Sequence, residues 1–451
     1  MTNFFKRIFN PQKVTIELEE IQALILRSRP VPYFGTNVLL HINNPGAGRE
    51  MISKILPLVT SAKDWHQADD ATATVAFTFE GLKALGLPQD SLDSFPDSFK
   101  EGMAARAKKL NDIDENAPKK WLKPFGTGQI HVAINIIADT KEKWEEKLNK
   151  ATAELNKMPD IKVLLSADFA ATEEVKNVFG YRDGISNPEV EGSGTEEIPG
   201  YGKPIKAGEF ILGYPGEAGT VGYFPKPDIL GKNGSFLVFR KYQSKVHEFN
   251  KFLKDNAKTE DEQELLAAKM FGRWRSGAPL TLAPDKENEE LGADAQKNND
   301  FSYKDDQSGK VVPLSCHMRR MNPRDTKQSV ISDVNLHRII RKSVSYGDIP
   351  HKDMIKDDGK DRGLYFIAIS AKAMETVEFL QSHWANEGNF INHGEEKDPI
   401  IGLNQGKGLF TVPGEEVRKR YHAVDTFNIM QGGEYCFIPS LKGLKWISEL
   451  N

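Results

Sequence analysis

Three segments of the chain change from strand-like to helix-like periodicity within a few residues. In the first, apolar side chains alternate with polar or small ones from Ile130 to Ile136, which is the period of a strand. Asp139 or Thr140 can then cap a helix. The apolar stripe of that helix follows at spacings of four and three residues, at Trp144, Leu148, Ala151, Leu155 and Met158. This segment predicts a strand that leads directly into an amphipathic helix.

The same design recurs twice beyond residue 230. A strand predicted from Gly363 leads into a helix that Ser370 can cap, and a strand predicted from Ser235 leads into another helix. The apolar faces of these two helices carry Ala373, Val377, Leu380 and Trp384 in the former and Val246, Phe249 and Leu253 in the latter. Strands that lead into helices and then recur are typical of α+β folds, in which helices cover one face of a sheet.

The spacing of these units predicts two domains. The first unit and the short apolar strand after it end near Asp168, whereas the other two units follow a Gly- and Pro-rich stretch over 192–227. We therefore predict an N-terminal domain over residues 1–225 and a C-terminal domain over residues 226–451. The polar and acidic stretch over 285–307 is predicted to be an exposed loop.

Composition narrows the class of protein. The chain has 451 residues, of which 39% are hydrophobic and 27% charged, as in globular proteins. The net charge is −4 and no long basic stripe occurs, which argues against nucleic-acid binding. Two cysteines, Cys316 and Cys436, make no disulfide framework or CxxC motif.

The apolar runs of the chain are short. No run of about 18 apolar residues predicts a membrane span, and the first residues lack the apolar stretch of a secretory signal. We expect a cytoplasmic protein that does not bind membranes. The sequence predicts no oligomeric state.

Three segments carry candidate chemistry. Gly180 and Gly184 bracket Asp183, which predicts either a surface turn or a loop that approaches a flat group closely. His317 lies in a segment with three arginines, and Arg324 follows it after seven residues. Haem iron needs an axial imidazole and haem propionates need cations. This segment can supply both, although a lone histidine is also common in packed or surface positions.

The third segment spans His337 to Asp348. Ile339 and Ile340 predict a strand, and Arg341 and Lys342 lie at its end. A strand that carries such charges can be an edge strand protected against pairing. It can equally present a cation to a site.

Together these segments resemble the dye-decolourising peroxidases. The GxxDG motif of that family matches Gly180 to Gly184, its proximal-histidine segment matches His317 to Arg324, and its distal-arginine segment matches Arg341 to Gly347. Further family segments match 272–280, 398–402 and 432–441 in the same order. The resemblance covers roughly residue 30 to the C-terminus. It implies an α+β fold of two ferredoxin-like domains, each an antiparallel sheet covered by helices, with haem b bound mainly by the C-terminal half.

The resemblance also implies a role for each matching residue. His317 would be the axial ligand of the haem iron, and Asp398 would accept a hydrogen bond from its other ring nitrogen, although Glu395 and Glu396 lie close in sequence. Asp183 would move the proton of hydrogen peroxide as a general acid–base, and Arg341 would stabilise the departing oxygen. An organic electron donor, including bulky dyes or phenolics, would be oxidised.

Four more residues match family positions around the cofactor. Arg324 and Gly184 would contact the haem, and Leu364 and Phe366 would form an apolar distal wall, with ordinary core packing as the alternative. Tyr346 would pass electrons from bulky reductants at the surface to the haem, and core packing is its alternative as well.

Two other classes of function stay open. A haem-binding or haem-processing protein of the same fold would not need both Asp183 and Arg341. A non-haem protein could use the segment from Pro45 to Gly48 as a phosphate loop, although the spacing of known phosphate motifs is missing. His393 and Glu395 could hold a metal ion.

Overall fold

The strands of the protein fall into two sets along the chain. The structure is a computed structural model, and it describes residues 15–64, 71–171, 174–195, 198, 200, 202–327, 334–391, 394–414 and 416–451. The strands are β1 (Tyr33–Ile42), β2 (Thr72–Phe77), β3 (Val132–Ala138), β4 (Ile161–Ala171), β5 (Ser235–Ser244), β6 (Ile340–Arg341), β7 (Val344–Tyr346), β8 (Gly363–Ser370), β9 (Gly408–Val412), β10 (Lys419–Val424) and β11 (Asn428–Ile438).

Helices connect these strands and cover them. They are α1 (Ala23–Leu26), α2 (Pro45–Ile55), α3 (Phe79–Ala84), α4 (Gln89–Asp93), α5 (Asp97–Glu101), α6 (Lys141–Leu155), α7 (Asp228–Gly231), α8 (Val246–Asn256), α9 (Glu260–Phe271), α10 (Glu289–Ala293), α11 (His317–Met321), α12 (Ala373–Phe379) and α13 (Leu441–Ser448). A π-helical turn over Leu380–Ala385 continues α12. None of the helices in the described ranges is both long enough and apolar enough to cross a membrane.

Each set of strands forms an antiparallel sheet with the same topology. The first set has the spatial order β4-β1-β3-β2, and the second has β11-β5-β8, with β6 and β7 both paired to β8. In chain order both sets follow the β-α-β-β-α-β pattern of a ferredoxin-like unit. The predicted fold class is therefore confirmed.

The two sheets join into one curved layer. β2 pairs with β11 at Phe77 and Phe437, which makes a nine-stranded sheet. The end strands β4 and β7 also lie within 8 Å of each other. The layer therefore curves back on itself in the manner of a barrel, and the short β9–β10 ribbon lies outside it.

The three strand–helix units predicted from periodicity are confirmed. Thr140, not Asp139, caps α6, since its side chain accepts the N–H of Lys143. Val246, Phe249 and Leu253 are buried on α8 as expected. Ser370 is not the cap of α12, because the helix begins at Ala373 and Lys372 is its cap residue. The Oγ of Ser370 instead accepts a hydrogen bond from the N–H of Lys372.

The stretch over 285–307 is not simply an exposed loop, and that prediction was wrong. It contains α10, and it buries the side chains of Asn298, Asn299, Tyr303 and Asp306. These polar groups are buried because arginines outside the stretch bind them, as in the pairs of Asp306 with Arg319 and of Asn299 with Arg324. The first set of strands ends at Ala171 and the second begins at Ser235. The boundary at residue 225 stays a prediction.

Candidate functional site

A cavity of about 310 Å³ collects most of the predicted site residues. It lies against β8 and β5 and is closed by the loop after β4 and by α11. Its volume falls within the range of small-molecule and cofactor sites. The predicted residues that line it are Asp183, Gly184, His317, Arg324, Arg341, Leu364 and Phe366.

His317 is the first residue of α11, and a buried carboxylate holds its ring. His317 Nδ1 lies 2.9 Å from Oδ2 of Asp398, which is fully buried. The other oxygen of Asp398 accepts the N–H groups of Ile400 and Ile401 at 2.8 and 3.0 Å. Because the carboxylate takes Nδ1, Nε2 is the ring nitrogen left for the cavity. We refer to His317 and Asp398 as the proximal pair.

The surroundings of Asp398 favour its charged form. Burial raises the pKa of its carboxyl, but His317, the N–H of Ile401 and the Arg320 guanidinium outweigh that effect, so the pKa lies below the usual value. Glu396, the nearby alternative, is engaged elsewhere, since its carboxylate accepts hydrogen bonds from Thr411.

Asp183 and Arg341 form an ion pair that also lines the cavity. Nη2 of Arg341, at the end of β6, donates to Asp183 Oδ1, and the N–H of Gly184 donates to the same oxygen at 2.8 Å. We refer to these two residues as the distal pair. Asn187 ties their segments together, because its side chain accepts the N–H of Arg341 at 2.7 Å and donates to the carbonyl of Arg341 at 3.0 Å.

The charge state of Asp183 follows from its neighbours. Burial raises the pKa of its carboxyl, but the positive charges of Arg341 and Arg29 outweigh burial and hold the pKa below the usual value. The carboxylate is therefore ionised at neutral pH and is able to accept a proton. Sequence reasoning gave neither Arg29 nor Asn187 a role in the site. Arg29 lies outside the motif segments, and Asn187, next to Pro188, predicts only a break in regular structure after the Asp183 turn.

Gly184 has a backbone reason to be glycine. Its φ angle is +82°, in the left-handed region. A Cβ at this position would lie 3.2 Å from Nη2 of Arg29. The residue thus allows both the turn after Asp183 and the close approach of a guanidinium.

One wall of the cavity is apolar and another end is cationic. Leu364 and Phe366 lie on the cavity face of β8, directly across from Tyr242 and Arg240 of β5. At the cationic end, Arg324 donates to the carbonyl of Phe301 at 2.6 Å and to Asn299 Oδ1 at 2.7 Å. Arg273 shares Asn299 Oδ1 and also lines the cavity. Arg273 lies in the matching segment 272–280, but the sequence predicts no role for it.

Tyr346 lies in a buried position, so the prediction of a surface site was wrong. Its side chain is 7% exposed. Its hydroxyl donates towards Asp361 Oδ1 and the carbonyl of Tyr242, each at 3.0 Å, and its ring stacks on Tyr365 with centroids 4.6 Å apart. Side chains alternate along β7, so while Ser345 lines the cavity, Tyr346 faces away from it.

The two non-haem alternatives gain no support. Pro45 to Gly48 form the first turn of α2. A phosphate at this helix end would bind free main-chain N–H groups, but the N–H of Ala47 already donates to Asn44 Oδ1. His393 lies outside the described residues. Among the residues that the structure does describe, no group of three or more His, Cys, Asp or Glu side chains could hold a metal ion.

Known families and structures match the chain over most of its length. The model of the DyP dimeric alpha+beta barrel domain matches residues 20–168, and that of the Dyp-type peroxidase C-terminal region matches 224–415. The dye-decolorizing peroxidase of the fungus Mycena epipterygia is 33% identical over 88% of this chain and 81% of its own length. The chain belongs to the dye-decolourising peroxidase family. It is therefore a DyP-type peroxidase, from a family of haem-dependent enzymes that act on hydrogen peroxide and a reductant.

Solved dye-decolourising peroxidases share the fold. An ancestral D-type enzyme has a TM-score of 0.83 and 32% identity, with 96% of this chain and 99% of that chain covered. A dye-decolorizing peroxidase in complex with 2,6-dimethoxyphenol has a TM-score of 0.83 and 28% identity, with 96% and 100% covered.

Proposed function

We propose that this peroxidase binds haem b in the cavity through His317 and reduces hydrogen peroxide with the help of Asp183 and Arg341. One observation carries the proposal: a single cavity is lined both by an imidazole whose Nδ1 is held by a buried carboxylate and by an aspartate–arginine ion pair. The donor set fits the cofactor, since haem iron takes an imidazole nitrogen, propionates take guanidinium groups, and a porphyrin face packs on apolar side chains. Bound haem supplies the redox chemistry that peroxide cleavage requires.

The distal pair handles the proton and the charge. The Asp183 carboxylate accepts the proton from one peroxide oxygen and returns it to the other, so no net proton is lost to the residue. The Arg341 guanidinium binds peroxide and stabilises the negative charge that develops on the leaving oxygen. Two electrons from the organic donor, together with two protons from the donor or solvent, complete the reduction of one peroxide to two water molecules.

The remaining predicted residues hold and shield the cofactor. Arg324, together with Arg273, would bind the propionates at the cationic end of the cavity. Gly184 would let its loop approach the porphyrin edge closely. Leu364 and Phe366 would limit the water that reaches the distal pair.

We further propose that this peroxidase oxidises phenolic compounds and bulky dyes. A relative of the same fold was solved with 2,6-dimethoxyphenol. Tyr346 stays the candidate for electron transfer from bulky donors towards the cavity, through buried contacts: its hydroxyl meets the carbonyl of Tyr242, which lines the cavity. An electron from a bulky donor would therefore have to reach Tyr346 through neighbouring groups such as the stacked ring of Tyr365, and not by direct contact with the donor.

A stopped-flow experiment tests the distal pair. The haem-loaded protein and its Asp183→Asn variant are mixed with hydrogen peroxide, and the rate of the spectral change is measured. We expect the variant to react about 10²- to 10⁴-fold more slowly, which is the usual contribution of a general acid–base. Asp228→Asn is the matched control, because Asp228 is exposed and, among the residues that the structure describes, its carboxylate forms an ion pair only with Lys226. An Asp183→Asn rate equal to the wild-type rate would contradict the proposal.

A further inference from the structure

A second arginine touches both segments of the distal pair without lining the cavity. Arg29 precedes β1, far in sequence from either partner. Its Nη1 donates to the carbonyl of Ser343, two residues after Arg341. Its Nη2 lies against Gly184, the residue after Asp183. A Cβ added at Gly184 would be 3.2 Å from this nitrogen. One guanidinium therefore bridges the loop of Asp183 and the strand region of Arg341.

The position of Arg29 is fixed from behind. Its Cζ lies 5.1 Å from the ring centroid of Tyr33, on β1, in a cation–π arrangement. Tyr33 is itself 2% exposed. A planar guanidinium stacked on a buried ring keeps its donors in fixed directions, which a flexible ammonium group does not.

We propose that Arg29 is a positioning residue of the distal pair, which clamps the Asp183 loop to the Arg341 strand and supplies a second positive charge beside the Asp183 carboxylate. The inference rests on the proposed role of Asp183. The groups that act on this carboxylate are Arg341 from β6, Arg29 from the segment before β1, the phenol of Tyr33 from β1 and the N–H of Gly184. Lys342 also lies at this corner; burial, Arg29 and Arg27 lower the pKa of its amine to about 7, and it donates to the carbonyl of Arg27.

Removal of the charge has a specific expected signature. In Arg29→Gln, the acidic limb of the peroxide rate should move up by about one pH unit, and the rate within that window should fall about tenfold, because one of two cations that favour the ionised carboxylate is gone. Cyanide gives a second readout without turnover. It binds after losing its proton to a distal base, so the acidic limb of its binding rate, followed by absorbance, should move by the same amount.

Two further variants separate charge from geometry. Arg29→Lys keeps the cation and should keep the acidic limb, but its rate should fall several-fold, because an ammonium group cannot hold Ser343 and Gly184 together. Arg49→Gln is the matched control. Arg49 also donates to a main-chain carbonyl, that of Leu85, but lies on α2 outside the cavity lining. It should behave as wild type in all assays.

The outcomes distinguish the two proposals. Arg29→Gln with full haem content and unmoved limbs for both peroxide and cyanide would overturn the inference, as would an Arg29→Lys variant with the wild-type rate. Loss of haem from both Arg29 variants would also overturn it, since a residue that acts on the distal pair leaves the His317 side intact. If Asp183→Asn reacts at the wild-type rate, the proposed function fails instead.

Discussion

Asp398 and Asp183 serve the same cavity, and both have a pKa below the usual aspartate value, yet their partners differ. Asp398 is fully buried, and its two oxygens are taken by the ring of His317 and by main-chain N–H groups. Asp183 lines the cavity and pairs with the charge of an arginine side chain. Under the proposed function, the first carboxylate would orient the iron ligand without reaching peroxide, whereas the second would exchange a proton with peroxide.

The largest effect is expected on the proximal side. His317→Ala should remove the iron ligand, so the variant should lose most of its haem, measured as Soret absorbance per protein after reconstitution. His337→Ala gives the matched comparison, because His337 lines the same cavity but its ring stacks flat on Phe379 with centroids 4.2 Å apart. Haem retained by the His317 variant and lost by the His337 variant would reverse the assignment of the ligand.

The second prediction separates the two carboxylates. Asp398→Asn should weaken haem affinity by about 10- to 100-fold, as loss of a partner of the metal ligand commonly does. The amide NH₂ would face His317 Nδ1–H, which favours the wrong ring tautomer for binding through Nε2. Competition with a haem acceptor measures the affinity. Glu395→Gln, at an exposed position close in sequence, should leave it unchanged.

The third prediction concerns pH. The pKa of Asp183 is lowered in the folded protein. Its carboxylate therefore stays ionised as pH falls to the ordinary aspartate pKa of about 3.9, and it becomes protonated only below that pH. The peroxide rate should therefore stay level from neutral to mildly acidic pH. In Arg341→Gln the acidic limb should move up by about one to three units. Stopped-flow measurements across pH check this, and an unmoved limb would contradict the ion pair as its cause.

The smallest effect is expected at Tyr346. Tyr346→Phe keeps the stack on Tyr365 and removes only the hydroxyl that meets Asp361 and Tyr242. The peroxide rate should not change, and turnover of a bulky dye should fall by a factor of about two to five if the phenol relays electrons, since a phenylalanine ring is much harder to oxidise. Equal dye turnover in both proteins would remove Tyr346 from the path.

The sequence predicted the regular parts of the fold because their periodicity is local. The alternation over Ile130 to Ile136 and the stripe of α6 need no knowledge of the rest of the chain. The cap of α12 was mispredicted because the cap position depends on where the preceding strand ends. The break between β6 and β7 was not predictable either, since it depends on cross-strand bonds such as that from Ile367 N–H to Ser343 Oγ.

Short motifs predicted the residues that line the cavity, but they did not predict which residues distant in sequence contact them. Asp183, His317 and Arg341 lie in recognisable segments, whereas the contact of Arg29 with Ser343 joins residues 314 positions apart. The burial of Tyr346 likewise depends on strands that pack around it. Tertiary packing decides such positions, and a single sequence carries no direct trace of it.

Strand β11 is the last strand in chain order among those described, and it lies between β2 of the first sheet and β5 of the second. On the ribosome, both neighbours therefore wait with unpaired backbone edges until residues 428–438 have emerged. Open edges of this kind can pair with other nascent chains. Folding of the continuous sheet is thus a late event of synthesis, and chaperones that cover strand edges should matter most for this protein in that interval.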